Sequence, residues 1–251
     1  MAEQKVFVAS EESKAKAKQL RLFAILAWVV AIAGEIFAIF KLIHNETLVW
    51  LIVAIVVILI LAITGSMLWK KANRLDPASE KDKVKFFIQN QLGAILGVLA
   101  FLPLVIAIFM NKDIDKKTKG IAGVIAVIAM LIAGITGIDF NPPSIEKYTK
   151  EINEQNTVLN KLAPGANAVY WLGGSAEKKD SKHKYHIYQD CQYIKGRTDV
   201  HSGTIKDSFE KNGESELCKV CEKRAMKERN LTPADLGLKD DVLNNAADST
   251  Q

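Results

Sequence analysis

Residues 48–69 read LVWLIVAIVVILILAITGSMLW, a run without a single charged residue. The run is apolar on every face, whereas a helix of a soluble protein carries its apolar residues in one stripe. Trp50 and Trp69 bracket it as aromatic residues do at the two surfaces of a bilayer. About 20 such residues cross the hydrocarbon core. Three similar runs extend the prediction to four transmembrane helices, over residues 22–43, 48–69, 86–110 and 120–139.

The distribution of Lys and Arg residues predicts the orientation of these helices. Residues 1–21, 70–85 and 140–150 together hold thirteen basic residues, whereas the loops of residues 44–47 and 111–119 hold none and four. By the positive-inside rule both termini are expected in the cytoplasm. The first run also resembles a signal peptide cut after Ala33, but the apolar residues EIFAIFKLI continue past that point and favour an uncut span.

The chemistry-bearing residues cluster late in the chain. All three cysteines follow one histidine in the spacing H-x4-C, a gap of 26 residues, then C-x2-C. A C-x-x-C pair also suits a redox motif, but that motif needs a βαβ setting, and cytosolic thiols seldom form disulfides. One imidazole and three thiolates complete a tetrahedral Zn²⁺ site. The predicted ligands are His186, Cys191, Cys218 and Cys221, with His183 and His201 as alternatives for the histidine.

The sequence divides into five segments, and two of them are predicted to be folded domains, one all-α and one α+β. A cytosolic tail of residues 1–21 precedes an all-α membrane domain of four transmembrane helices, residues 22–139. Residues 140–165 predict an amphipathic helical linker, which lies on the adjacent domain or membrane, or alternatively self-associates. Residues 166–230 predict a small cytosolic α+β zinc-binding module with a β-hairpin and short helices. Residues 231–251 are expected to be a loosely ordered acidic tail.

Part of this module resembles a known family. The segments VYW at 169–171, KYH at 184–186, DCQYIKG at 190–196 and CKVC at 218–221 are similar to the Ada-type metal-binding module. That resemblance implies zinc held at the four positions named above. The Ada repair protein uses four cysteines, one of which accepts a methyl group, so the histidine here argues against methyl transfer. Residues 101–144 resemble uncharacterised multi-span membrane proteins of Gram-positive bacteria, which implies a bacterial cell membrane.

Glu35 is the one acidic residue in the interior of a predicted span. Small residues on about the same face, among them Ala31 and Ala38, direct it toward another helix. Two interpretations stay open: a proton or cation site, or a buried protonated carboxyl bonded to a neighbouring helix. Further stripes of small residues predict close helix packing, and Pro103 predicts a kink in the third span. The stripes are Gly93 and Gly97, and Ala122, Ala126, Ala129, Ala133 and Gly137.

These features favour a binding role over catalysis. The sequence contains no P-loop, G-x-S-x-G or H-E-x-x-H motif, and its net charge of +5 is mild. We expect an integral membrane protein that presents a structural zinc module for interaction or signalling at the membrane. A small oligomeric transporter that uses Glu35 is the alternative, and a zinc-thiolate alkyl acceptor is the third hypothesis. The expected partners are the lipid bilayer, a cytosolic protein, a second copy of the chain and, with weaker support, nucleic acid.

Overall fold

The computed structural model describes residues 6–166, 168–173, 184–212 and 215–237. Two compact units form, and each has its own internal packing. The helical unit is Ala9–Ile145, and the sheet unit combines Met1–Val8 with Glu146–Gln251. The chain therefore passes between the two units twice, once just before the first helix and once after residue 145.

The helical unit contains four helices that are long and apolar enough to cross a membrane, as the sequence predicted. The third is divided in two. Ser10 caps the first helix by accepting the Ser13 N–H at 3.3 Å, so this helix begins well before residue 22. The helices are α1 (Glu11–Lys41), α2 (Leu48–Leu75), α3 (Lys83–Leu99), α4 (Leu102–Met110) and α5 (Lys116–Gly137).

A complete break, rather than a kink, separates α3 from α4. Phe101 occupies the N-cap position of α4, and Pro103 lies in its first turn. Proline has no backbone N–H and fixes its own φ, so it suits the start of a helix and disrupts the interior of one. The sequence placed an irregularity at the right residue but underestimated it, because Pro103 begins a new helix.

The small-residue stripes pack within the helical unit, where α3 meets α5. A Cβ placed on Gly97 would lie 2.8 Å from the backbone oxygen of Ala133. A Cβ on Gly137 would lie 2.4 Å from the backbone nitrogen of Ala94. The two backbones therefore touch at positions where no side chain fits, as is usual for small-residue packing of membrane helices.

We expect Gly137→Ala to destabilise the helical unit and Gly120→Ala not to. Both glycines belong to α5, but a Cβ on Gly120 meets nothing within 4 Å. Alanine favours a helix over glycine by about 1 kcal/mol, so only the steric contact makes Gly137→Ala unfavourable. Thermal unfolding of the purified protein in detergent should show a lower midpoint for Gly137→Ala alone. Equal midpoints would contradict the close α3–α5 contact.

In the described residues, the sheet unit is built on one sheet of four short strands: β1 (Val169–Leu172), β2 (Lys184–His186), β3 (Val200–Gly203) and β4 (Glu216–Leu217). Their spatial order is β3-β1-β2-β4, with β1 antiparallel to β2 and β3, and β2 parallel to β4. The predicted hairpin is present as β1 and β2, whereas β3 and β4 were not expected. The helices are α6 (Ile145–Leu162), α7 (Ile205–Asn212), α8 (Lys219–Glu228) and α9 (Pro233–Leu236).

The two faces of the sheet have different coverings. Trp171 lies on the face covered by α7, where its ring would be 2.9 Å from a Cβ on Gly203. Leu172 lies on the opposite face, because successive side chains of a strand alternate, and it packs against the three cysteines. Gly203 belongs to β3, and α7 begins two residues later at Ile205.

The predicted amphipathic linker is α6, and it belongs to the sheet unit. Four apolar residues of this helix are buried. The side-chain amide of Gln155 donates to the Ser215 carbonyl at 2.9 Å. Leu162 packs with Ala225 of α8 and Leu236 of α9. The interpretation of a helix lying on its neighbouring domain therefore fits. Residues 174–183 and the part of the predicted acidic tail beyond residue 237 lie outside the described residues, whereas residues 233–236 of that tail form α9.

Candidate functional site

Three thiols and one imidazole meet on the sheet face opposite α7. The potential ligand atoms of His186, Cys191, Cys218 and Cys221 all lie within 4.8 Å of one another, and all four residues are buried. The Nδ1 atom of His186 is 3.7 Å from Sγ of Cys221. The four residues selected from sequence spacing are thus brought together by the fold.

Three of the four ligands lie at or next to an end of a helix or strand, and Cys191 lies in a turn. His186 is the last residue of β2, and Cys191 follows in the turn after it. Cys218 comes directly after β4, and its N–H donates to the Tyr185 carbonyl at 2.8 Å, which extends the sheet by one hydrogen bond. Cys221 lies in the first turn of α8. The positive end of the α8 dipole therefore points toward two of the sulfurs and favours their thiolate form.

Backbone N–H groups also point at the sulfurs. Ile187 and Tyr188 donate to Cys221, and Tyr193 donates to Cys191. The Cys221 N–H donates to Cys218. Donors around a thiolate spread its negative charge and orient the ligand, as the surrounding hydrogen bonds of protein metal sites do.

The three thiols compete for protons. Hydrogen bonds from Cys221 and His186 lower the pKa of Cys218 to about 3. The hydrogen bond to Cys218, together with burial, raises the pKa of Cys221, and burial raises the pKa of Cys191. One thiolate therefore suppresses ionisation of its neighbours. A divalent cation among them would remove this conflict by favouring all three thiolates.

The arrangement fits a soft, four-coordinate metal ion. With metal–sulfur and metal–nitrogen bonds of about 2.3 and 2.0 Å, tetrahedral donors lie about 3.6 Å apart. The observed 3.7 Å between His186 and Cys221 is close to that value. The four residues could therefore hold a metal.

A charged network beside the cluster joins the two chain segments that carry the cysteines. The guanidinium of Arg224 in α8 stacks 4.0 Å from the ring centroid of Tyr188 and donates to Asp190 at 2.8 Å and to Glu228 at 2.9 Å. Asp190 immediately precedes Cys191. The sequence did not predict this network as a whole, although the i, i+4 spacing of Arg224 and Glu228 indicates one of its ion pairs.

Of the two histidines named as alternative metal ligands, the structure describes only His201. His201 pairs with Trp171 across β1 and β3 and stacks on its ring at a centroid distance of 6.2 Å. Cross-strand partners share a face, so His201 lies on the α7 side and not with the cysteines. His183 lies outside the described residues.

Glu35, which belongs to α1, caps the start of a different helix, α4. Its carboxyl is buried, and one oxygen accepts the Leu104 N–H at 3.1 Å. Leu104 is in the first turn of α4, where N–H groups have no partner within the helix, and the N-cap residue Phe101 supplies no side-chain acceptor. Glu35 in α1 thus provides the hydrogen bond that an N-cap side chain normally provides. This geometry favours the interpretation of a buried carboxyl bonded to a neighbouring helix.

Comparison of the chain with protein-family models, with curated proteins and with solved structures found no match.

The metal ligands can be tested with a matched pair of histidine variants. We expect the purified full-length protein to carry about one zinc per chain, since three thiolates and an imidazole bind it tightly. His186→Ala should lose most of this metal, whereas His201→Ala should retain it. Elemental analysis after exhaustive dialysis provides the measurement. Equal metal content in the two variants would refute the ligand assignment.

The role of Glu35 can be tested by separating its acceptor oxygen from its charge. Glu35→Gln keeps an oxygen for the Leu104 N–H, whereas Glu35→Leu leaves that N–H unpaired at a cost of about 1–3 kcal/mol. We therefore expect thermal unfolding in detergent to show a clear loss of stability only for Glu35→Leu. If Glu35→Gln were equally destabilised, the charge rather than the cap would be the important property.

Proposed function

We propose that this chain is an integral membrane protein of a bacterial cell membrane that presents a structural zinc module to the cytosol, where the module binds a protein partner. The observation that carries the proposal is the buried cluster of three cysteines and one histidine on a chain with four helices long enough to span a membrane. Four protein donors leave no open position for water, which is typical of structural rather than catalytic zinc.

The identity of the metal follows from the donor set. Zn²⁺ combines readily with thiolate and imidazole in tetrahedral geometry, whereas Mg²⁺ and Ca²⁺ require oxygen ligands. Bound zinc would supply the positive charge that holds the three thiolates together. The ligands come from β2, the following turn and the segment joining β4 to α8, so the metal would hold these pieces in place.

The charge distribution and the reduced thiols support a cytosolic position for the module, and one contact indicates the same side for the N-terminal segment. Basic residues are concentrated in the segments assigned to the inner side. Phe7 packs against Tyr148 within the sheet unit, which requires residue 7 and the module to lie on the same side of the membrane. An even number of spans satisfies that requirement. Reduced thiols suit the cytosol, where disulfides are rare.

A protein partner is favoured over nucleic acid by the surface of the module. Among the described residues after 145, the exposed large apolar side chains are Tyr193 and Val220, at 40% and 37% exposure. Both lie in ligand-bearing segments, within two residues of Cys191 and Cys221 respectively. Apolar and aromatic side chains are typical anchors of protein interfaces. Arg224 and Arg197, which would suit phosphates, are paired with carboxylates.

The other two hypotheses receive less support. Transport through Glu35 is disfavoured because the carboxyl already caps α4. Alkyl transfer to a cysteine requires an accessible thiolate, but Cys191, Cys218 and Cys221 are each at most 4% exposed.

Photo-cross-linking in intact membranes tests the proposed role. We expect a cross-linker placed at Tyr193 or Val220 to capture a protein partner, and one at the exposed Lys211 of α7 not to. The adduct should disappear when Cys221→Ser is added, because the surface depends on the metal. Absence of any adduct at positions 193 and 220, or an identical adduct from position 211, would contradict this interaction surface.

A further inference from the structure

We propose that the metal centre controls how firmly the sheet unit holds the chain segment that leads into α1. This inference rests on the proposed function, because it requires the four-ligand site to bind metal. The segment is residues 6–8, and the surface that binds it is formed by Tyr148, Thr149 and Phe209, here named the Phe7 seat. Metal binding would stabilise the seat, and metal loss would release the segment.

Phe7 anchors the described part of this segment. Phe7 is 2% exposed, and its ring meets that of Tyr148 edge to face at 5.2 Å. Its N–H donates to Oγ1 of Thr149 at 2.9 Å. The neighbouring side chains Val6 and Val8 are 62% and 56% exposed. Phe7 thus contributes a buried ring and a backbone hydrogen bond to the hold on residues 6–8, and contacts of that size can open and close reversibly.

The seat depends on α7. The Tyr148 ring contacts that of Phe209 at 5.5 Å, and Phe209 is fully buried. Ile205, one turn earlier, is buried as well, and α7 packs against β1 and β3. Displacement of α7 would therefore remove one wall of the aromatic column formed by Phe7, Tyr148 and Phe209.

Ser215 connects both walls of the seat to the metal ligands. Its carbonyl accepts the Gln155 amide of α6, and its hydroxyl bonds Ser208 of α7 at 2.7 Å in a buried position. Ser215 is followed by the two residues of β4 and then by Cys218. A shift of β4, which leads from Ser215 to the ligand Cys218, would therefore disturb its contacts with both α6 and α7.

The sheet provides a second connection. Tyr185 in β2 pairs with Trp171 on the α7 face, and the next residue, His186, points to the opposite face among the cysteines. Strands of two to four residues have few hydrogen bonds of their own, and a domain near 60 residues has a thin core. Metal binding in such domains contributes directly to folding. Loss of metal should therefore loosen β2, then α7, and with it the seat.

Hydrogen exchange measured by mass spectrometry on the full-length protein in detergent tests this coupling. With zinc bound, the Phe7 amide, which is measured in a peptide covering residues 6–10, and the amides of the ligand segments should be protected. Removal of zinc by a chelator should accelerate exchange in residues 6–10 by about tenfold or more, and zinc addition should restore protection. Fast exchange in residues 6–10 even with zinc bound would overturn the proposal.

Two variants separate the seat from the metal site. Phe7→Ala should free residues 6–10 in the zinc-bound protein while zinc content and protection of the ligand segments stay unchanged. Val8→Ala, which alters an exposed neighbour, should leave all protection unchanged. If chelation exposes the ligand segments but not residues 6–10, the proposed coupling is wrong, while the proposed zinc-binding function is unaffected. If the wild-type protein binds no zinc, the proposed function itself fails.

Discussion

The sheet unit depends on bringing four donor atoms from distant positions into one small volume. Its strands are two to four residues long, and such strands do not form a stable sheet by themselves. Cys218 shows the dependence most directly, because its side chain belongs to the donor cluster while its N–H continues the ladder to Tyr185. Assembly of the site and completion of the sheet are therefore the same event. The Arg224 network reinforces that arrangement from outside, where exposed ion pairs add little stability but orient the segments they join.

The helical unit solves a different problem, which is how apolar helices keep their backbone groups bonded. An unpaired N–H group is costly when it is buried among apolar side chains, so an interrupted helix needs a partner for its new end. The break before α4 creates such an end, and Glu35 supplies an acceptor from α1. Close backbone contact at Gly97 and Gly137 then holds α3 against α5. A buried acidic residue and a row of glycines, which look like opposite kinds of signal in the sequence, serve the same bundle.

Much of this architecture was predictable from sequence, and the failures have physical causes. Long apolar runs predicted the four helices because their signal extends over many residues. The spacing of cysteines and His186 predicted the cluster because metal ligands have narrow chemical requirements. The strands β3 and β4 were missed because two to four residues carry too little periodicity, and only pairing with β1 and β2 defines them. Spacing alone did not exclude His201; strand register did, by placing it on the other face with Trp171. The partner of Glu35 is a backbone N–H, and no side-chain pattern records it.

The contact between Phe7 and Tyr148 closes a loop of more than a hundred residues. For a free chain, joining ends so distant would carry an entropy penalty that grows with the logarithm of loop length, roughly 4 kcal/mol here. Four helices joined by short connections reduce that penalty, because most of the intervening residues are already held in rigid helices. During synthesis, however, Phe209 emerges long after Phe7. Phe7 therefore acquires its final neighbours only after the four long helices, α6 and α7 have been made.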